Sequence, residues 1–449
     1  MKKISRILSL LLAVCLLAAM VAGCGQSNAD AQPSDSPKPS DSAAPSDAPG
    51  NAPSGETVKI GVLLPMSGSS AYYGDVQLDG IEFCVDYVNR NGGIKSMGGA
   101  QVELVIQDSA GSAETGISAF EALVDSGVSA VVGPYNSGVA AATAPLAIQY
   151  GVPYVIVNAT SENFMQSPNK YVYRTNTGSG DGDLLYSKAM EFLNEVRPDN
   201  PTDKLAIVYD SGDWGTAASA TWNAGAEEMG YTVVIDEAVS ETTTDLSTVV
   251  SKIKSEDVDV VIMATYSAAT NLLVKQMHDY QCTAKAVSLG GGAGDINFIE
   301  NCGESAEGVM ILSQWFPRYG GATEAAQPLV DEFAATYGYD MPMEPAWGWL
   351  GCATIINALE MAGSADREAV ADALYVLDVP GDDWSCWFIF YDGVRFGTEG
   401  EEDSDYTDGI RYNNNVKTGE LDGGALMQVQ NGEWRIVWPS DMQNSDVNY

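Results

Sequence analysis

Residues 58–93 read VKIGVLLPMSGSSAYYGDVQLDGIEFCVDYVNRNGG. The opening run, Val58–Leu64, lacks period-two alternation, as a strand buried on both faces should. A polar turn follows, then a helical stretch over Gly74–Asn91 in which Ile81, Val85 and Val88 share one face. Asn91-Gly92-Gly93 stops it. The same order recurs along the chain. Further strands are predicted at Val102–Gln107, Ala130–Gly133, Tyr154–Val157, Lys204–Tyr209, Thr232–Ile235, Val258–Ala264, Ala286–Leu289 and Gly308–Leu312. Helices are predicted near 113–126, 138–150, 183–196, 214–229, 245–255, 267–280, 323–337 and 346–362. Such alternation predicts an α/β fold of open, mostly parallel sheets covered by helices on both sides. It runs for about 250 residues, too many for one ordinary open sheet.

There is an internal echo. Gly127–Gly133 leads to Tyr135-Asn136-Ser137, and Asp257–Met263 leads to Tyr266-Ser267. Each is a buried strand running into a Tyr- and Ser-bearing loop ahead of a helix. Generic α/β order explains this as well as two similar lobes facing one cleft.

The 449 residues carry 22 Lys plus Arg against 61 Asp plus Glu, a net charge of −39. So acidic a chain has little attraction for phosphate backbones, which argues against a nucleic-acid partner. At 45% apolar residues it is not globally disordered. A single histidine, His278, removes most histidine-based catalytic and metal sites. It reads as an exposed helical residue. No Cys-x-x-Cys occurs, and neither a G-x-S-x-G elbow nor a phosphate loop is present. No metal, cofactor or catalytic residue is therefore predicted. Cys84, Cys282, Cys302, Cys352 and Cys386 are odd in number, so at least one is unpaired within a monomer. Cys282 and Cys302 are open to pairing, with buried thiols as the default.

Residues 1–23 read as an export signal, with Lys2, Lys3 and Arg6 ahead of the largely apolar Ile7–Met20. Val21-Ala22-Gly23-Cys24 resembles a lipobox, which makes Cys24 the lipidated residue. An ordinary signal, or an uncleaved anchor helix, is the plainer alternative. Residues 25–56 hold six prolines and no Val, Ile, Leu, Met or aromatic residue. They cannot bury enough apolar area to offset their ordering entropy, so 24–56 is a lipidated cysteine and disordered tether. That layout expects a body held at the outer face of a bacterial cell membrane without a spanning helix.

In an open α/β sheet, ligands sit beyond the carboxyl ends of the strands. Helix N-termini there offer unpaired N–H groups suited to a carboxylate. The loops in that position are 67–74, 135–137, 158–161, 210–215, 266–270 and 290–295.

Lys59–Gly68 with Tyr73-Gly74, Val88–Ile94, Gly133–Ser137, Tyr173-Arg174-Thr175, Asp210–Gly215 and Gly303–Gly308, in that order and spacing, resemble the branched-chain amino-acid-binding family of ABC-transporter substrate-binding proteins. These are type I periplasmic binding proteins, and the resemblance spans about 57–440. It implies two Rossmann-like lobes joined by three crossings: 57–176 plus about 315–382, and 177–314 plus about 383–449. It implies that Ser137 holds a ligand carboxylate, that Asn158, Ala159 and Thr160 add polar and backbone contacts, and that Tyr73 packs on the ligand. Trp214, Tyr266 and Trp347 match its other cleft aromatics. Family members binding amino acids place an acidic residue in the second-lobe glycine loop to pair with the ammonium. Here that position is Gly291. Asp295 or Asp181 would have to substitute, or the ligand is not an α-amino acid; amides, ureas and aromatic acids stay open. The plainer alternatives are helix caps for Ser137 and Thr160, and core or lobe-surface residues for the aromatics.

The function expected is a non-enzymatic, monomeric, lipid-anchored receptor that delivers an amino acid or related solute to ABC permease subunits in the membrane. A sensor presenting the solute to a signalling partner, an anchored α/β hydrolase and an adhesive protein are the alternatives.

Overall fold

The structure, a computed structural model, describes residues 57–165, 169–176, 189, 192–193, 195, 204–228, 230–316, 324–388, 393–396, 424–440 and 443–448. The first half begins with β1 (Val58–Leu64), α1 (Ala71–Arg90), β2 (Val102–Asp108), α2 (Ala113–Asp125), β3 (Ala130–Val132), α3 (Ser137–Tyr150), β4 (Tyr154–Ile156) and β5 (Val172–Arg174). The second contributes β6 (Lys204–Asp210), α4 (Asp213–Glu228), β7 (Thr232–Val239), α5 (Ser247–Ser255), β8 (Val260–Ala264), α6 (Ser267–Asp279), β9 (Lys285–Ser288), α7 (Phe298–Cys302) and β10 (Met310–Ser313). Then come α8 (Gln327–Tyr337), α9 (Met343–Ala362), α10 (Arg367–Tyr375), β11 (Asp378–Pro380), β12 (Gly393–Arg395), β13 (Ala425–Gln430) and β14 (Glu433–Trp438).

Strand composition sets position in the sheets. Every residue of β3, β4 and β8 is buried, and these are inner strands with helices on both faces. β2 and β7 carry Glu103, Asp236 and Glu237, keep most residues partly exposed, and lie at sheet edges. The first sheet runs β2-β1-β3-β4-β5, all parallel. The second runs β14-β13-β10-β9-β8-β6-β7. Its parallel part, β7-β6-β8-β9-β10, repeats the first sheet's order. The echoed segments are the third strand of each sheet, so the echo does mark two similar halves. The antiparallel hairpin β13–β14 extends the second sheet beyond β10.

Helix α9 is apolar nearly all round and sits buried against α1, β3 and β4. Two glycines permit this approach. A Cβ on Gly80 would lie 2.0 Å from the Pro345 carbonyl oxygen, and one on Gly348 would lie 2.4 Å from that of Gln77. Trp349, Leu350 and Ile355 of α9 join Ile60 and Val62 in one core. Among the described residues no helix is long and apolar enough to cross a membrane.

Cys386, Phe388, Val394 and Phe396 pack into that same core, and β11 pairs with β12. These apolar side chains belong to the first half's core although they follow residue 382, near which the last crossing was expected. Cys84, Cys302, Cys352 and Cys386 are buried free thiols and Cys282 is half-buried, so the Cys282–Cys302 pairing is not formed. Cys302 Sγ instead lies 3.3 Å from Asn271 Oδ1 as a donor. Cys24 and the tether fall outside the described residues.

Candidate functional site

The loops after β3, β4, β5, β6, β8 and β9 converge with the start of α9 on one cavity. Seven of the nominated residues line it: Ser137, Asn158, Thr160, Trp214, Tyr266, Gly291 and Trp347. Both halves therefore supply its walls.

The polar wall is built at the start of α3. Ser137 is the first residue of the helix rather than its cap, is 2% exposed, and its Oγ accepts the Ser161 N–H at 3.3 Å. The preceding Asn136 makes no side-chain cap bond; its amide nitrogen donates to Ser70 Oγ at 3.0 Å. The positive helix end thus faces the cavity without an intervening side-chain cap. Arg174 holds the neighbouring turn. Its fully buried guanidinium donates to the carbonyl oxygens of Thr160 at 2.9 Å and Ser161 at 3.1 Å, and pairs with Glu162. Charge-assisted bonds of this kind fix Thr160 against the cavity.

The aromatic wall crosses between the halves. Trp214 lies 5.0 Å from Tyr266, Tyr266 lies 6.0 Å from Tyr135, and Tyr135 stacks on Tyr73 at 4.4 Å. Burial pushes the Tyr135 and Tyr266 hydroxyls well above their ordinary range, so both remain neutral. Trp347 Nε1 donates to Gln314 Oε1 at 3.0 Å, which orients its ring toward the same space.

Tyr73 is placed differently from the sequence expectation. It stands behind Tyr135, and its hydroxyl reaches across the gap between the halves. There it donates to the Gly291 carbonyl oxygen at 3.0 Å, accepts the Ser267 N–H at 3.0 Å, and lies 2.5 Å from Ser267 Oγ. Tyr72 does the same alongside, its oxygen accepting the Ile296 N–H at 2.8 Å. The pair is a latch, not a ligand-facing wall.

Gly291 has φ +21, and a Cβ there would lie 3.1 Å from the Trp214 ring. The indole fills the space that a longer residue would need, which accounts physically for a glycine where an acid was expected. Asp295 does not replace that acid. It lines a second cavity and accepts from Asn297, through the backbone N–H at 2.8 Å and the side-chain amide at 3.2 Å. Ala159 is buried at 1% behind the wall, and Asp181 lies outside the described residues. His278 is exposed on α6, 3.8 Å from the Asp279 carboxylate. Sequence reading did not nominate Tyr135, Asn176, Leu289, Gly290, Leu312 or Met343, which complete the lining. Tyr135 and Gly290 lie in loops that the carboxyl-end rule selects; Asn176 and Met343 carry no comparable local signal.

A family model described as "Periplasmic binding protein" matches residues 57–394. The Leu/Ile/Val-binding protein BraC3 of Rhizobium johnstonii is 31% identical over 322 residues, covering 71% of this chain and 83% of that protein. Among solved structures, the leucine-binding protein LivK of Thermotoga maritima aligns with a TM-score of 0.68 at 22% identity, over 85% of this chain and 97% of that one. The branched-chain substrate-binding protein LivJ of Streptococcus pneumoniae, in complex with isoleucine, aligns with a TM-score of 0.67 at 23% identity, over 84% and 98%. These two likenesses concern the fold.

Proposed function

The chain belongs to the periplasmic binding protein family, and from that premise we propose that it is an extracytoplasmic receptor that closes on a small solute and delivers it to an ABC importer. The observation that carries this reading is a cavity at the carboxyl ends of both sheets' strands, walled by residues of both halves. A solute there touches both at once, so its binding favours the closed arrangement. No bond need be made or broken.

The solute class is a small carboxylate or amide on an apolar body, a branched-chain amino acid or a relative of one. Ser137 and the first N–H groups of α3 take the carboxylate. Asn158 and Thr160 provide further polar contacts, and Trp214, Tyr266 and Trp347 cover the apolar body. The kinship with a Leu/Ile/Val-binding protein supports an amino acid. One observation favours a second reading of the ligand: among the described residues no Asp or Glu lines the cavity. A buried ammonium without an ionised partner is costly, so an acid or amide lacking that group suits the wall better.

We further infer that diacylglycerol on Cys24 anchors the monomeric body through the 25–56 tether. Mass spectrometry of the mature N-terminus tests the anchor. For the ligand, the purified protein is denatured and any released molecule identified by mass spectrometry. The emptied protein is then refolded and heated with L-leucine, L-isoleucine or benzoate. A ligand at about a hundred times its Kd adds roughly 2.7 kcal/mol of stability. No released solute, and no thermal shift with any of the three, would refute the reading.

A further inference from the structure

Beyond the glycine loop lies a larger cavity of about 410 Å³. Its walls come from both halves: the Tyr339–Glu344 approach to α9 on one side, and 293–297, Ile311, Met427 and Trp434 on the other. The charge of these walls is one-sided. Asp295, Asp340, Glu344 and Glu433 line the cavity, and among the described residues no Lys, Arg or His does.

Glu344 is the unusual member. It is 1% exposed, and neither carboxylate oxygen has a partner beyond its own main-chain N–H. Asp295 is tied to Asn297, and the exposed Glu433 pairs with Arg435. A carboxyl group buried without a partner is unfavourable unless something fills its hydrogen-bonding capacity. Phe316, Tyr339 and Trp434 line the same cavity. Aromatic faces beside a carboxylate make the surroundings that stabilise an organic ammonium, through cation–π attraction and a charge-assisted hydrogen bond together.

We propose that this cavity is a second binding site, separate from the solute site, for a small organic cation: a primary ammonium on an apolar body, with Glu344 as its ion partner and Trp434 in its aromatic wall. The contrast between the two cavities supports the assignment. Among the described residues the smaller one has no charged lining residue, and the charged lining residues of the larger one are all acids. Met343 lines both, so the sites are neighbours with opposite preferences. Burial, together with the nearby Asp295, pushes Glu344 up to about 8, so the empty site keeps its proton and an arriving ammonium displaces it. The tyrosines facing it, Tyr72, Tyr73 and Tyr339, are shifted upward and stay neutral, so they bring no competing charge.

The test is calorimetric titration of the purified full chain with benzylamine and with its neutral counterpart, benzyl alcohol. Benzylamine should bind and benzyl alcohol should not. Glu344→Gln, which keeps the side chain's shape, should weaken benzylamine roughly tenfold or more, the effect of one lost charge-assisted contact. Trp434→Ala should weaken it roughly threefold or more while leaving the Glu344 carboxyl group in place. A circular dichroism spectrum matching that of the natural protein establishes folding of each variant. No heat with benzylamine, equal binding of the alcohol, or affinity unchanged in both variants would each overturn the proposal. None of these outcomes depends on which solute occupies the smaller cavity.

Discussion

Tyr73→Phe isolates the energy of closure from the energy of ligand contact. The ring and its stacking on Tyr135 survive the change, and Tyr73 does not line the solute cavity. Only the hydroxyl goes, and with it the bond to the Gly291 carbonyl and those with Ser267. Each such bond contributes roughly 1 kcal/mol net, so closure weakens by about 2–3 kcal/mol. Because the solute binds tightly only where both halves meet, this appears almost wholly in affinity, as a loss of roughly 30- to 150-fold. Calorimetry with the solute released from the purified protein gives the affinity. Small-angle scattering of the emptied variant should show a larger radius of gyration than the emptied natural protein. An affinity within twofold of the natural protein, with unchanged scattering, would refute the latch.

Four further outcomes are expected. Glu344, held near 8 by burial against an ordinary 4.5, keeps its proton in the folded state while the unfolded chain ionises. Stability is therefore lost as pH rises from about 4.5 to about 8, and Glu344→Gln should gain on the natural protein over that window, by several kcal/mol at most; melts across pH check this, and a pH-independent difference would contradict it. Ser137→Ala should weaken a carboxylate-bearing solute by roughly 1–3 kcal/mol, and Trp214→Ala by a similar amount, in calorimetry. Gly291→Ala should lower solute affinity by displacing the Trp214 ring that stands 3.1 Å from the new Cβ, visible as a change in tryptophan fluorescence.

The parallel sheets were legible because their strands are continuous Val- and Ile-rich runs, which few other structures accommodate. β5 was not, since Val-Tyr-Arg is three residues long and ends in a charge that pairs only through the tertiary fold. β13 and β14 also escaped prediction. Asn431-Gly432, both at positive φ, is nevertheless a hairpin signature, one that a reading tuned to strand–helix alternation passes over. Helix α1 begins at Ala71 rather than Gly74, and α9 at Met343 rather than near 346, where Pro345 sits in a first turn that does not need its N–H. For the site, strand ends and turn chemistry brought seven nominated residues to one cavity. The separation of Tyr73 from Tyr135 by depth was not legible. Neither was the arrival of Glu344 at Gly294, where its Oε1 would lie 2.8 Å from an added Cβ. Both depend on how the two halves meet, which no local pattern encodes.

The repeated strand order has a consequence for stoichiometry. Duplicating the order duplicates the helix that follows each third strand, so α3 and α6 bring two equivalent electropositive tips to the same gap. Left alone, twin tips would invite twin anions. The first N–H of α6 is instead plugged by a tyrosine oxygen from the opposite side, which leaves one tip for one anion, and the plug can seat only when the jaws are shut.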